Sequence, residues 1–128
     1  MTTPECVIRP ATREDYVRFF GHPPEQTFRG LVGEAGGELV GIGGISLTRL
    51  PTGGMAPQAF MSLQLDMEKT YRRELISAAK QVRGWLKEYP VVYAVADAEY
   101  PSSPRFLEHM GFEYHRLSDG LEVYRWRG

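Results

Sequence analysis

Residues 65–75, "LDMEKTYRREL", place carboxylates and arginines where an alternating strand pattern gives way to a helical pattern. The start of a helix has free N–H groups and a positive dipole, so it attracts phosphate and other anions. Arg72 and Arg73 can add charge-assisted hydrogen bonds to phosphate oxygens. Phosphate loops usually contain glycine, which lets an anion approach the backbone closely, and this segment contains none. The segment is therefore either a phosphate site built without glycine or a solvated, charged helix start.

The helices and strands before this segment are predicted from capping residues, turn glycines and the spacing of hydrophobic residues. Strands are predicted at residues 5–9, 28–34 and 38–47. A helix is predicted in "PATREDYVRFFG", with Thr12 as its N-cap, Asp15 completing a capping box and Gly21 ending it. The two glycines of "EAGGE" suit a hairpin turn, because such turns require positive φ. The "GIGGIS" glycines lie inside a strand pattern, which predicts close backbone approach or a bulge rather than a nucleotide loop.

The elements after it complete one mixed sheet. "AFMSLQLDM", residues 59–67, alternates strictly and predicts a strand, and residues 70–88 predict an amphipathic helix. "PVVYAVAD" is continuously apolar, which indicates a central parallel strand. A short helix from Ser103 to Gly111 and strands at 112–117 and 121–126 follow. The fold class is α/β (α+β mixed), with about seven strands and three helices in the order β-α-β-β-β-α-β-α-β-β, in a single domain, residues 1–128.

Composition excludes several classes of protein. Hydrophobic residues make up 42% and charged residues 24% of the 128-residue chain, which is ordinary for a globular domain. The net charge of −1 argues against a broad nucleic-acid surface, and no apolar run could span a membrane. The N-terminal residues do not resemble a signal peptide, so a cytoplasmic location is expected. Cys6 is the only cysteine and the three histidines are scattered, so no metal site is expected.

Three segments together carry a family resemblance. These are "GEAGGELVGIGGISL" at 33–47, "LQLDMEKTYRREL" at 63–75 and "SPRFLEHMGFEYH" at 103–115. In this order and spacing the chain resembles the GNAT superfamily of N-acetyltransferases over nearly its whole length. Its short length and "VVYAVAD" resemble the short GNAT-like proteins of tailed phages and prophages. That narrower resemblance implies a location in the host cytoplasm or in a virion.

The resemblance implies acetyl-CoA as co-substrate and an amine as acceptor, and it implies which residues hold the cofactor. The implied cofactor-binding residues are Leu65, Asp66 and Met67 by their backbone, Arg72, Arg73, Glu74 and Leu75 at the phosphates, and Ser103, the predicted N-cap of the last helix. Where the family has two glycines in its pyrophosphate loop, this chain has Arg73 and Leu75. These larger side chains crowd the approach that glycine allows.

The implied catalytic residues are Asp66 and Tyr100. Asp66 is the carboxylate that could accept the amine proton, although capping of the next helix is the favoured role. Tyr100 could donate a proton to the thiolate, or it could pack against Pro101. The family tyrosine on the last helix corresponds to Leu107, which cannot donate a proton.

Two functions follow from these residues. The first is an acetyl-CoA-dependent N-acetyltransferase with a degenerate pyrophosphate loop. The second is a catalytically inactive GNAT-fold phage or prophage protein, acting as a binding or virion-associated module. The partners expected are acetyl-CoA and an unknown amine acceptor, with no membrane and no nucleic acid. The aromatic "VYRWRG" tail could pair strands between protomers in a homodimer.

Overall fold

A computed structural model describes residues 3–49, 54–64, 67–96 and 103–127. The described elements are β1 (Cys6–Pro10), α1 (Arg13–Phe20), β2 (Phe28–Ala35), β3 (Glu38–Arg49), β4 (Met55–Leu63), α2 (Met67–Thr70), α3 (Arg72–Leu86), β5 (Val91–Val95), α4 (Ser103–His109), β6 (Glu113–Ser118) and β7 (Leu121–Arg127). The seven strands form one sheet in the order β1-β2-β3-β4-β5-β7-β6. The pairs are antiparallel except β4–β5, which is parallel. The predicted mixed sheet with α1, α3 and α4 is confirmed, and the one-turn α2 is an addition.

The local signals in the first half of the sequence act as expected. Thr12 accepts a hydrogen bond from the Asp15 N–H at 3.2 Å, and the Asp15 carboxylate accepts one from the Thr12 N–H at 2.8 Å. Gly21 closes α1 in the left-handed conformation, with φ of 80°. Gly36 and Gly37 both have positive φ in the β2–β3 hairpin. These residues fix where α1 and the hairpin begin and end.

A buried ion pair ties α1 to the sheet. Asp15 is only 4% exposed, and Arg9 on β1 donates to both of its carboxylate oxygens, at 2.7 and 2.9 Å. Glu34 on β2 lies 3.7 Å from the same guanidinium and 3.5 Å from that of Arg18. The network therefore joins the first helix to the first two strands.

The helices cover opposite faces of the sheet. Side chains of α1 pack against Val32, Leu39 and Ile42 on one face. Side chains of α3 and α4 pack on the other face, against a buried cluster of Ile45, Leu86, Val92, Ala94, Ala96, Met110, Phe112 and Tyr124. The end of α3 is held to β2 by Arg29, which lies 4.1 Å over the Trp85 ring and donates to Glu88 at 2.7 Å. These contacts set the direction of α3 across the sheet.

Close backbone approach explains two of the strand glycines. Gly30 on β2 lies opposite Gly44 on β3. A Cβ added to Gly44 would overlap the carbonyl oxygen of Arg29 and lie 2.5 Å from the Cα of Gly30. A Cβ added to Gly30 would lie 2.7 Å from the carbonyl oxygen of Gly43. The predicted close approach is confirmed at Gly44, and an extra residue, Val40, sits where the β2–β3 register shifts.

Both predicted ends of β4 and the predicted start of α3 are wrong. The alternating pattern predicts a strand at 59–67, but β4 spans Met55–Leu63 and Met67 begins the helical turn α2. The helix predicted to begin at residue 70 begins at Arg72, with Tyr71 as its N-cap. Pro57 explains the missed start of β4, because proline lacks the N–H that a paired strand uses.

Strand β7 is an interior strand. It pairs with β5 from Val123 to Arg127 and with β6 from Leu121 to Arg125. The outer strands of the sheet are β1 and β6. The prediction that the "VYRWRG" tail pairs strands between two protomers is therefore wrong. The homodimer itself stays a prediction.

Candidate active site

Strands β4 and β5 form a fork. Among the described residues their parallel pairing consists of Gln58 with Tyr93 and Ala59 with Ala94, although β4 continues to Leu63 and β5 to Val95. Beyond these pairs the strands no longer share a register, so the β4 backbone from Phe60 to Ser62 borders the opening. On its other side β4 keeps its full pairing with β3. From Phe60 to Ser62 the fork thus offers an extended ligand a stretch of β4 backbone for which no pairing with the described residues of β5 is seen.

The chain leaves β4 and enters α3 next to this fork. The Gln64 N–H donates to the carbonyl oxygen of Val40 at 2.9 Å, which keeps the end of β4 on β3. Tyr71 caps α3 without a side-chain hydrogen bond to the helix, and its hydroxyl donates instead to the Pro4 carbonyl at 2.8 Å. The Leu75 N–H donates to the Tyr71 carbonyl at 2.9 Å. The amides of residues 72–74 therefore precede the intrahelical hydrogen bonds of α3, as in any first turn.

The first turn of α3 divides its side chains between solvent and core. Arg72 and Arg73 are exposed. Glu74 is half-buried and close enough to Cys6 to raise the pKa of that thiol, for which burial is the larger cause. Leu75 turns toward the sheet and lines a cavity. The two arginines are thus free to meet a ligand, whereas Leu75 belongs to the wall of the site.

The cavity lies between the sheet, α3 and α4, and has a volume of about 130 Å³. It reaches the fork at Ala59, Phe60, Ala94 and Val95. Small residues form part of its wall, namely Gly33, Gly41, Gly43, Ala78 and Ala79. Every described side chain in its wall is apolar, including Phe106, Leu107 and Met110 of α4. The described wall therefore suits an apolar chain or a thioester.

The structure does not describe all of the predicted site residues in full. Leu65, Asp66 and Tyr100 lie outside the described residues. The backbones of Met67 and Ser103 begin α2 and α4. The described part of the site therefore contains Arg72, Arg73, Glu74 and Leu75 at one end and Leu107 in the cavity wall.

The described histidines do not gather at the fork. His109 is exposed at the end of α4. His22 contacts the Tyr16 ring, and His115 contacts the Tyr93 ring with centroids 6.1 Å apart. Among the residues that the structure describes, no three His, Cys, Asp or Glu side chains are grouped to hold a metal ion. No helix in that part of the chain is long and apolar enough to cross a bilayer.

Sequence reasoning missed Tyr124 as a buried titratable group near the fork. Tyr124 lies opposite Ala94 on β7 and is 4% exposed. Burial raises the pKa of its phenol, and Glu122, which accepts its hydrogen bond at 3.3 Å, raises it further. The phenol is therefore protonated at neutral pH. The strand pattern could have revealed it, because Tyr124 shares a face with the apolar Trp126.

Comparison with solved structures identifies the fold. No protein-family model matches the sequence, and no curated protein sequence matches it. A GNAT-family acetyltransferase from Streptococcus pneumoniae superimposes with a TM-score of 0.67 at 10% identity, covering 97% of this chain and 100% of the other. An N-acetyltransferase from Staphylococcus aureus Mu50 gives 0.62 at 13% identity, covering 96% and 98%. The ribosomal-protein-S18-alanine N-acetyltransferase from Escherichia coli gives 0.61 at 10% identity, covering 96% and 94%.

These similarities establish the fold. The seven-stranded mixed sheet with its helices is the fold of GNAT acetyltransferases, and it extends over nearly the whole chain. A shared fold does not by itself define the reaction, because one fold can carry unrelated functions.

Proposed function

We propose that this protein transfers an acyl group, most simply acetyl, from coenzyme A to an amine. The observation that carries the proposal is the fork between β4 and β5, where pairing stops after Ala59 and Ala94. A pantetheine arm has amide groups that can bond to an unpaired strand, and an acyl thioester is apolar enough for the adjoining cavity. The fork, the cavity and the start of α3 lie side by side, as one extended ligand requires.

Phosphate binding would fall to the first turn of α3. The Arg72 and Arg73 side chains are exposed there, beside amides that precede the first intrahelical bonds. Arginine forms strong bidentate bonds to phosphate, which could replace part of what glycine-rich loops achieve through backbone contact. Leu75 would sit below the phosphates as an apolar wall.

The transfer itself requires little acid–base chemistry. The amine nitrogen attacks the thioester carbonyl carbon, the C–N bond forms, and the C–S bond breaks. The amine proton leaves to Asp66 or to water, and the coenzyme A thiolate takes a proton from Tyr100 or from water. The apolar cavity wall keeps solvent from the thioester and holds it against the β4 backbone.

Binding of acetyl-CoA is the experiment that tests the proposal. At a ligand concentration about 100 times the dissociation constant, acetyl-CoA should stabilise the folded state by about 2.7 kcal/mol. Thermal unfolding in the presence of acetyl-CoA, coenzyme A and acetyl-pantetheine measures this effect. The Arg72→Ala and Arg73→Ala variants should each bind coenzyme A about tenfold more weakly, because each loses a charged hydrogen bond.

Two comparisons sharpen that measurement. Arg83→Ala removes an equally exposed arginine from a later turn of α3 and should leave affinity unchanged. Acetyl-pantetheine lacks the pyrophosphate, so its binding should not respond to any of the three variants. The absence of any stabilisation at millimolar coenzyme A would refute the enzymatic proposal.

A Leu107→Tyr variant should raise the rate of transfer. Leu107 lies in the cavity wall, so a tyrosine there would bring its hydroxyl to the space proposed for the leaving thiolate. A positioned proton donor commonly accelerates such a step by about 100-fold, and even partial alignment should give a tenfold gain in kcat. Leu107→Phe is the matched control, because phenylalanine has the same aromatic ring but lacks the phenolic hydroxyl that would donate the proton. Equal kcat for the two variants would show that protonation of the thiolate does not limit the reaction.

One observation favours the alternative function. The described cavity wall contains no titratable side chain, which is what an inactive GNAT-fold binding module would have. In that case coenzyme A thioesters would bind without turnover, or would not bind at all. Detection of N-acetylated product with a panel of amines separates this outcome from the enzymatic one. The phage or prophage setting of such a module stays a prediction from the sequence resemblance.

A further inference from the structure

No helix in the described part of the chain covers one half of the sheet on the face opposite α3 and α4. Helix α1 covers β2 and β3 on that face through Val32, Leu39 and Ile42. On β5 and β7 the side chains that pack under α3 and α4 are Val92, Ala94, Tyr124 and Trp126. Alternation along each strand therefore points Tyr93, Val95 and Val123 to the opposite face, where no described helix lies.

The strand register assigns a basic character to this face. Arg125 lies opposite Tyr93, and Arg127 lies opposite Val91, so both point to the open side. Arg116 on β6 lies opposite Val123 and joins them. We call this open side, with Tyr93, His115, Arg116, Arg125 and Arg127, the basic face. Glu113, paired with Arg125, is the one carboxylate that the described register places among them.

The three arginines of the basic face form no ion pair within the described part of the chain. There, the ion pairs within 4.0 Å involve Arg9, Arg18 and Arg29 but none of the arginines at 116, 125 and 127. The pKa of His115 is lowered first by partial burial and then by repulsion from Arg125, Arg116 and Arg127. All three guanidinium groups thus lie near enough to the His115 ring to act on its pKa in the same direction. A positive cluster of this kind attracts an acidic partner.

We propose that the basic face binds an acidic peptide segment that carries the acceptor amine. The inference rests on the proposed acyltransferase function and names the class of its acceptor. Coenzyme A would enter from the side of α3 and α4, so the amine must arrive from the other face of the fork. Val95 at the end of β5 is opposite Val123, and Arg116 lies across β7 at the same level. The basic face therefore adjoins the place where the amine must attack.

The spacing of the charges suits a peptide better than a single small anion. Arg116 is level with Val123, and Arg127 is four residues further along β7. At the rise of a strand this separates the two arginines by about 13 Å. A single carboxylate or phosphate reaches one of these groups, whereas an extended peptide with several acidic side chains can reach all three. Tyr93 and Val95 supply apolar contact between the charges and the fork.

Peptide binding tests the inference without any coenzyme A. The probe is a fluorescent peptide of about ten residues, with a central lysine flanked by glutamates, and its partner has glutamines instead. At low ionic strength, about 50 mM, fluorescence anisotropy should show at least tenfold tighter binding of the acidic peptide, and added salt should reduce the difference. Equal affinity for the two peptides overturns the inference.

Charge variants locate the contact. The triple variant R116Q/R125Q/R127Q should bind the acidic peptide at least tenfold more weakly. The control K80Q/R83Q/K87Q removes the same charge from exposed residues on or just beyond α3 and should change affinity less than twofold. Equal losses in the two triples would show attraction by net charge alone and would overturn the inference. The single exposed R127Q variant gives the same comparison if the triple variant fails to fold.

Activity then separates this inference from the function on which it rests. If acetyl-CoA stabilises the protein, kcat/KM for the acidic peptide should exceed that for the glutamine peptide at least tenfold. Equal kcat/KM values would leave the acyltransferase standing and refute the acidic acceptor. Arginine-dependent peptide binding without any effect of coenzyme A would refute the acyltransferase proposal and, with it, the assignment of this peptide as an acceptor.

Discussion

Replacing Asp15 with alanine is expected to lower the free energy of unfolding by about 3 kcal/mol. The carboxylate is buried, accepts two hydrogen bonds from Arg9 and forms both halves of the capping box with Thr12. Its removal leaves the Arg9 guanidinium with Glu34, at 3.7 Å, and with a hydrogen bond to the Pro10 carbonyl at 3.3 Å. It also leaves the first turn of α1 without its reciprocal cap. Because the Arg9 side chain is 34% exposed, water offsets part of the loss, which places the expected value at the low end for a buried pair.

The same pair predicts a pH dependence. The hydrogen bonds from Arg9, assisted by those from Thr12, hold the pKa of the Asp15 carboxyl far below its ordinary value. The carboxylate therefore stabilises the folded state above the unfolded-state pKa of about 3.9, and this contribution is lost as the pH falls through the folded-state pKa. The wild-type protein should lose more stability than Asp15→Ala between about pH 4 and pH 2.

Urea unfolding at several pH values measures both effects. Glu14→Ala is the matched control, because Glu14 lies in the same first turn and is exposed. Its loss should stay within about 0.5 kcal/mol and should not alter the acid dependence. Parallel loss of stability on acidification in the wild type and in Asp15→Ala would contradict the role assigned to the pair.

Replacing Gly44 with alanine is expected to destabilise the fold by about 3 kcal/mol or more. The added Cβ would overlap the backbone of Arg29 and would approach the Cα of Gly30, so no side-chain rotation relieves the contact. Strands β2 and β3 would have to separate at this pair, and separation would break neighbouring ladder hydrogen bonds. The backbone contact distinguishes this position from glycines that only border a flexible side chain.

Gly84→Ala is the same chemical change, but it is expected to raise the stability of the protein rather than lower it. Gly84 lies within α3, is exposed and has nothing within 4 Å of an added Cβ. Alanine there should stabilise the protein by about 0.5–1 kcal/mol, because glycine is the poorer helix residue. Thermal and urea unfolding of the two variants should therefore differ in sign, and a neutral Gly44→Ala would disprove the close approach of β2 and β3.

Local residue chemistry was enough to predict most of the fold. Thr12, Asp15, Gly21 and the Gly36–Gly37 turn act through neighbours in sequence, so their structure follows from short-range rules. The end of β4 could not be predicted in this way. Its alternation continues through residues 64–67, but Met67 is already helical. The pattern of side chains does not record where a strand loses its pairing partner.

In the candidate site, too, some features could be predicted from local sequence and others could not. The sequence locates Arg72 and Arg73 at a helix start, and the structure places them there, exposed. The cavity was not predictable, because its wall combines residues such as Gly33, Gly41 and Ala79 from three separate elements. None of these residues indicates a pocket by itself. The pocket forms only where α3 packs over β2 and β3.

The short β4–β5 pairing also has a mechanical consequence. In the part of the chain that the structure describes, two residue pairs set the register of β1–β4 against β5–β7 across this junction. The two halves of the sheet are therefore joined largely by packed side chains such as Ile45, Val92 and Ala94. Strands β4 and β5 can then separate locally at a small cost in free energy, so amide hydrogens of β5 should exchange sooner than those of β3. A ligand that formed hydrogen bonds to both β4 and β5 would hold the two strands together. The two halves of the sheet would then unfold as one cooperative unit.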